Sequence, residues 1–309
     1  MNQQLINAIH NNNTFSDIID ASGITNKQFE QTVIETIKKH YKMVKLDEII
    51  DETKSETTEL VPMGAGNSVA LSNEQLEFID MAIKRESIFL TAAAGYGKSF
   101  CLKEVIKQLR SRYDAPDADV SRVAICASTG KAASLIGGKT IHSFLGIGLA
   151  KQCAEELHER LITTRRLKAK YFELKGLKTL IIDEISMINN VLLDKISRYL
   201  ELIHGNEEPF GGVQMIFVGD LHQLAPVEGR YFIESASYRD LKPIVIQLTK
   251  CFRQDDPLFQ QVLTEARVGK LSTNSYNVLM NRNTIDKTLF PDMEPTLICS
   301  TNREVDAIN

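Results

Sequence analysis

The chain predicts an α/β fold, with a parallel sheet flanked by helices, and three observations carry that prediction. Short apolar runs recur at Ser87 to Thr91, Arg122 to Ala127, Thr179 to Ile182, Val213 to Val218 and Ile244 to Leu248, with helix-period segments between most of them. Such alternation implies parallel strands covered on both faces, with ligands gathered at the strands' carboxyl ends. The first run delivers the backbone into the small-residue loop Ala92-Ala93-Ala94-Gly95-Tyr96-Gly97-Lys98-Ser99. Finally, Asp183-Glu184 and Gly219-Asp220 both fall at the ends of later runs, on the side where that loop must lie.

The remaining chain is ordered around this sheet. Residues 1–46 read as a small helical N-terminal module, with helices at Ile6 to His10, Phe15 to Ala21 and Lys27 to His40, and Phe29, Val33 and Ile37 form an apolar stripe. A helix-turn-helix and a plain packing or partner-binding module both fit that pattern. Residues 47–69 hold Asp47, Glu48, Asp51, Glu52, Glu56 and Glu59, then Pro62, Gly64 and Gly66, and read as an acidic linker with little apolar surface to bury. The α/β domain then spans 70–294. After the loop, Leu102, Val105, Ile106 and Leu109 mark a helix whose N-terminal dipole points back at the loop. Segment 150–178 reads as a long, charge-rich helix and its exit, including Arg165, Arg166 and Lys168, and suits either a solvated face or a phosphate-tracking one.

Composition sets outer limits. The 309 residues are 43% hydrophobic and 25% charged, ordinary for a globular protein with a large core. No apolar run is long enough to span a bilayer, and Met1-Asn2-Gln3-Gln4 lacks the basic and apolar regions of a secretory signal, so the expectation is a cytoplasmic or nuclear protein that is not secreted and has no membrane partner. Five widely separated cysteines suggest reduced thiols. Net charge is −4, but residues 1–70 carry ten acidic and six basic side chains, so the remainder is neutral. A neutral domain can still present a basic channel.

The loop ending in Gly97-Lys98-Ser99 has the chemistry of a phosphate cradle. Gly95 and Gly97 let successive backbone N–H groups turn toward one anion, Lys98 reaches the β and γ phosphates, and Ser99 offers its hydroxyl to Mg²⁺. Ala92 stands where such loops usually open with Gly. The strand Leu180-Ile181-Ile182-Asp183-Glu184 presents adjacent carboxylates, of which Asp183 would hold Mg²⁺ and Glu184 would orient or deprotonate the attacking water.

Further segments resemble the superfamily-one DNA helicases of the Pif type. Leu71-Ser72-Asn73-Glu74-Gln75 is similar to their Q motif, Ile125 to Ala133 with Ile136 to Phe144 to motif Ia, Asp183-Glu184-Ile185-Ser186-Met187 to motif II, Gly211 to Val227 to motif III, and Leu248 to Gln254 to motif IV. The resemblance runs over roughly residues 71–269 and implies that the α/β unit is a RecA-like P-loop domain. It implies that Gln75 reads adenine and that Ala94, Gly95, Tyr96, Gly97, Lys98 and Ser99 bind the nucleotide. Gln223 would sense the γ phosphate, and Arg253 would neutralise charge on the transferred phosphoryl group, help worth about 10³ to 10⁵ in rate. Thr129, Lys131, His142 and Phe144 fall where the family contacts single-stranded DNA, although Phe144 alone also suits a core position. Tyr96 occupies a position where the family usually has a small Thr.

The resemblance implies ATP and Mg²⁺ as cofactors and an ATP-dependent DNA helicase acting on single-stranded DNA or a fork, with five-prime to three-prime polarity. The N-terminal module offers a contact for a replication or recombination protein. Nothing matches the family's motifs V and VI, and Thr296 to Asn309 is similar to the first strand and helix of a second RecA-like domain. The expectation is therefore an N-terminal part of a longer helicase, weakly active by itself. A nucleotide-gated binding module with a vestigial ATPase and a P-loop ATPase unrelated to nucleic acid are the competing readings.

Overall fold

A computed structural model describes residues 71–114, 121–281, 297–299 and 301–308. The N-terminal module and the acidic linker lie outside the described residues.

Six strands form one parallel sheet in the order β3-β2-β4-β5-β1-β6. They are β1 (Ile88–Thr91), β2 (Val123–Ala127), β3 (Lys139–Thr140), β4 (Thr179–Asp183), β5 (Gln214–Gly219) and β6 (Ile244–Gln247). The five long strands match the five apolar runs. The runs are continuous because both faces of the sheet are covered: Phe89, Leu180, Ile182, Met215 and Phe217 point into one core, and Ile88, Leu90, Ile181, Ile216 and Val218 into the other.

The second core is closed by α1 (Asn73–Ile83) and α2 (Lys98–Tyr113). Ser72 and Gln75 form a reciprocal capping box that starts α1, and Leu102, Val105, Ile106 and Leu109 are the buried stripe of α2. Opposite lie α4 (Ile141–Leu145), α5 (Ala154–Thr163), α6 (Lys168–Lys175) and α7 (Asn190–His204). Helix α3 (Gly130–Leu135) follows β2, α8 (Ala236–Leu241) precedes β6, and α9 (Pro257–Arg267) and α10 (Thr273–Met280) follow it.

Gln214, only 3% exposed, joins these layers. Its amide donates to the Ala82 and Glu86 carbonyls at 2.8 and 2.9 Å, and its oxygen accepts from Thr179 Oγ1 at 2.8 Å.

Two expectations change. Segment 150–178 is not one long helix, because Thr164 adopts an extended conformation (φ −85°, ψ 109°) that ends α5, and a short 3-10 turn at Arg165–Leu167 restarts the chain into α6. The β-branched pair Thr163-Thr164 weakens the helix at that point. Near the C-terminal end, Leu297, Ile298 and Cys299 hold no regular structure where a strand was expected, whereas the expected helix is present as α11 (Asn302–Ile308). No helix among the described residues is long and apolar enough to cross a membrane.

Candidate nucleotide and nucleic-acid site

The sheet register brings the motif-bearing loops to one edge. Thr91 pairs with Gly219 on one side and Gln247 on the other, and Ala127 pairs with Asp183. The phosphate loop therefore leaves β1 between the turn after β5 and the segment after β6.

Within the loop, Gly95 and Gly97 have φ of 90° and 85°, a region that L side chains rarely enter. Close approach excludes a side chain as well: a Cβ on Gly95 would lie 2.7 Å from Arg253 Cβ, and one on Gly97 2.6 Å from Gln75 Nε2. Gln75 and Arg253 thus pack directly on the loop. Gln75 is 2% exposed, and its Oε1 accepts from Ser72 N–H at 3.0 Å. Ala92 is not among the left-handed residues and its methyl group is buried, so the missing glycine costs the loop no backbone strain. Tyr96 packs its ring against the core beneath the loop.

Lys98 Nζ donates to the Ala92 and Ala93 carbonyls at 2.6 and 3.1 Å. Burial lowers its pKa, opposed by the negative charges of Asp220, Glu184 and Asp183. Ser99 is exposed in the first turn of α2. At the end of β4, Asp183 is 8% exposed and accepts Glu184 N–H at Oδ1 (2.9 Å). Its other oxygen accepts no hydrogen bond from the described residues. Burial raises the pKa of Asp183, and burial together with the Asp183 charge raises that of Glu184. Glu184 holds φ 51° and ψ 44°, a left-handed conformation costing a non-glycine residue about 1 to 3 kcal/mol, of the kind that clusters at active sites. Gly219 makes room for this turn, since a Cβ there would lie 3.0 Å from Ile185 Cγ2 and 3.2 Å from Ile185 N.

Two clefts flank these groups. One, of about 320 Å³, is lined by Ala94, Tyr96, Asp220, Gln223, Arg253 and Arg267. The other, of about 630 Å³, is lined by Thr129, Lys131, Leu135, Glu184, Met187 and Gln223. Gln223 lies in both, together with His222.

Of the residues expected to contact DNA, Thr129 and Lys131 face the second cleft, while His142 and Phe144 do not line it. Thr129 Oγ1 accepts Ala132 N–H as the cap of α3, and burial lowers the pKa of His142. Phe144 is 6% exposed, belongs to the core, and has the Lys170 ammonium 5.1 Å from its ring centroid. A ring so covered has no face for a base, and its placement corrects the stacking expectation.

The sequence reading missed Arg267. Its guanidinium forks onto Asp220, Nε to Oδ2 and Nη2 to Oδ1, both at 2.8 Å.

The PIF1-like helicase family profile matches residues 70–274, well over half the chain. The chain is similar to the ATP-dependent DNA helicase PIF1 of Emericella nidulans, at 37% identity over 267 residues, covering 84% of this chain and 34% of that protein. It is 34% identical over 273 residues to the ATP-dependent DNA helicase RRM3 of Saccharomyces cerevisiae, covering 86% of this chain and 36% of that one. It therefore spans about a third of the length of these curated relatives. Among solved structures, the Pif1 helicase from Candida albicans superposes with a TM-score of 0.69 at 33% identity, over 78% of this chain and 53% of that one. The Bacteroides Pif1 helicase in complex with ADP-AlF3 and ssDNA gives 0.64 at 28% identity, over 78% and 56%. With a P-loop, a carboxylate pair and a motif III turn converging on one sheet edge, and this profile running through all of them, the chain belongs to the PIF1-like helicase family.

Proposed function

We propose that this chain provides the first nucleotide-binding half of an ATP-dependent DNA helicase that couples ATP hydrolysis to movement along single-stranded DNA, five-prime to three-prime. The observation carrying this reading is that strained Glu184, Gln223 and Arg253 line two clefts that share Gln223, while the Lys98 ammonium feels the charges of Asp220, Glu184 and Asp183 beside them.

The loop N–H groups and Lys98 hold the phosphates, and Gln75 and Tyr96 border the nucleotide. Ser99 and Asp183 suit Mg²⁺: one is an exposed hydroxyl at a helix start, the other a buried carboxylate with one oxygen that accepts no hydrogen bond from the described residues. The cation would supply charge neutralisation between the phosphates. Glu184 takes the proton of the attacking water, and its raised pKa suits a base working near neutral pH. Arg253, packed on Gly95, faces the transferred phosphoryl group. Thr129 and Lys131 line the larger cleft, where a DNA backbone would run, and Gln223 reports the phosphate state to it.

Lys98 and Glu184 hold different roles, so their variants separate binding from chemistry. In DNA-stimulated assays of the full-length protein, Lys98→Ala weakens nucleotide binding and hydrolysis together. Glu184→Gln keeps nucleotide affinity within about threefold and lowers kcat by about 10² or more. Substantial turnover in Glu184→Gln would remove that residue as the base. Unchanged nucleotide binding and turnover in Lys98→Ala would sink the ATPase reading.

A further inference from the structure

The turn that carries Gln223 is organised by one side chain. Asp220, 1% exposed at the end of β5, accepts His222 N–H at 3.0 Å through Oδ1, while its backbone carbonyl accepts Gln223 N–H at 3.0 Å. The His222 imidazole Nδ1, buried and with no hydrogen-bond partner among the described residues, stands 3.4 Å from the same carboxylate oxygen. Burial pushes the Asp220 carboxyl pKa up, but the bonds from His222 and Arg267 more than reverse this and hold it well below the usual range.

The charge that makes a buried carboxylate tenable comes from Arg267, in the last turn of α9. Its two parallel bonds are the fork geometry that fixes orientation as well as charge. Lys98 also feels Asp220 electrostatically, so an uncompensated Asp220 would be drawn toward the phosphate loop. Moving Asp220 moves Gln223, because the carboxylate and the carbonyl of this one residue hold both ends of the turn.

We propose that Arg267 is a positioning residue for ATP hydrolysis: acting through Asp220, it sets the turn that places Gln223 between the two clefts. This rests on the role assigned to Gln223 above. The coupling joins α9, which follows the Arg253 segment, to the carboxyl end of β5, two elements 47 residues apart in sequence at their point of contact.

The test is a set of variants in the full-length protein, with ATPase measured in the presence of single-stranded DNA. Arg267→Met is expected to lower kcat by about 10- to 100-fold, the effect of a displacement of about 1 Å, with KM for ATP within about threefold. Asp220→Asn is expected to do the same, and the double variant to be no worse than the poorer single one. Arg267→Lys keeps the charge without the fork and should fall between. In a Gln223→Ala background, Arg267→Met should lower kcat no further. If Arg267→Met does not fold, Arg267→Lys and Asp220→Asn complete the same cycle. A further loss in the Gln223→Ala background, a wild-type kcat in Arg267→Met, or a rise in KM with kcat unchanged would each overturn the proposal. Failure of the ATPase reading itself appears separately, as unchanged nucleotide binding and turnover in Lys98→Ala.

Discussion

Glu184 carries two penalties at once, a left-handed backbone and a desolvated charge next to Asp183. The first is separable by substitution: Glu184→Gly should be more stable than Glu184→Ala by about 1 kcal/mol, the reverse of the usual ranking, because only glycine enters this region freely. A differential melt of the two variants checks it. The second is separable by pH. A folded state that binds a proton more tightly than the unfolded chain loses stability as pH rises through the folded pKa, and Glu184, with its raised pKa, is such a group. Glu184→Gln should therefore raise the melting temperature at pH 8, and the gain should vanish as pH falls toward the ordinary value of 4.5. Asp220 has the opposite sign, since its pKa is depressed: its contribution is present above the ordinary value of 3.8 and is lost in acid. Asp220→Asn is destabilising at neutral pH and nearly neutral in acid. Tyr96→Thr removes a ring that packs on the core beneath the loop, so nucleotide affinity should change less than tenfold, or about 1.4 kcal/mol, by titration.

Elements differ in how openly the sequence displays them. The five long strands were legible because apolar faces on both sides make each an unbroken hydrophobic run, whereas β3, two residues of edge strand with exposed Lys139, has no such signature. The break between α5 and α6 was hidden because charged residues run through it on both sides, and α6 buries only Leu174. The phosphate loop and the carboxylate pair are local and could be read directly. Arg267 could not, because an arginine in a helix's last turn looks like a complement to the helix dipole, and its partner lies on a different element. Helices α3 and α4 illustrate the same limit, since both hold residues of the segment similar to motif Ia but only α3 faces the cleft. Lys131→Ala should weaken single-stranded DNA binding and reduce the slope of log affinity against log salt by about 0.7. Phe144→Ala should instead destabilise the fold by about 3 to 5 kcal/mol and leave that slope unchanged, as anisotropy across a salt series and a denaturant melt would show.

At the scale of the whole molecule, cohesion depends on contacts that skip across the sequence. Gln214 is one: replacing it with Leu leaves the Ala82 and Glu86 carbonyls and the Thr179 hydroxyl without their partner, so the urea midpoint should fall by an amount equivalent to about 2 kcal/mol or more, with little change in m. The sheet order is another. Strand β1 lies between β5 and β6, with Ile88 opposite both Ile216 and Ile244. During synthesis the phosphate loop therefore emerges long before either neighbour of the strand that supports it. At roughly 5 to 20 residues per second, about 6 to 26 s separate Ile88 from its β5 partner Ile216 at the ribosome, and until then β1 is an apolar segment without a neighbouring strand to pair with. The strand beneath the phosphate loop is thus made well before the neighbours that seat it, and the nascent chain has a window of exposure written into its strand order.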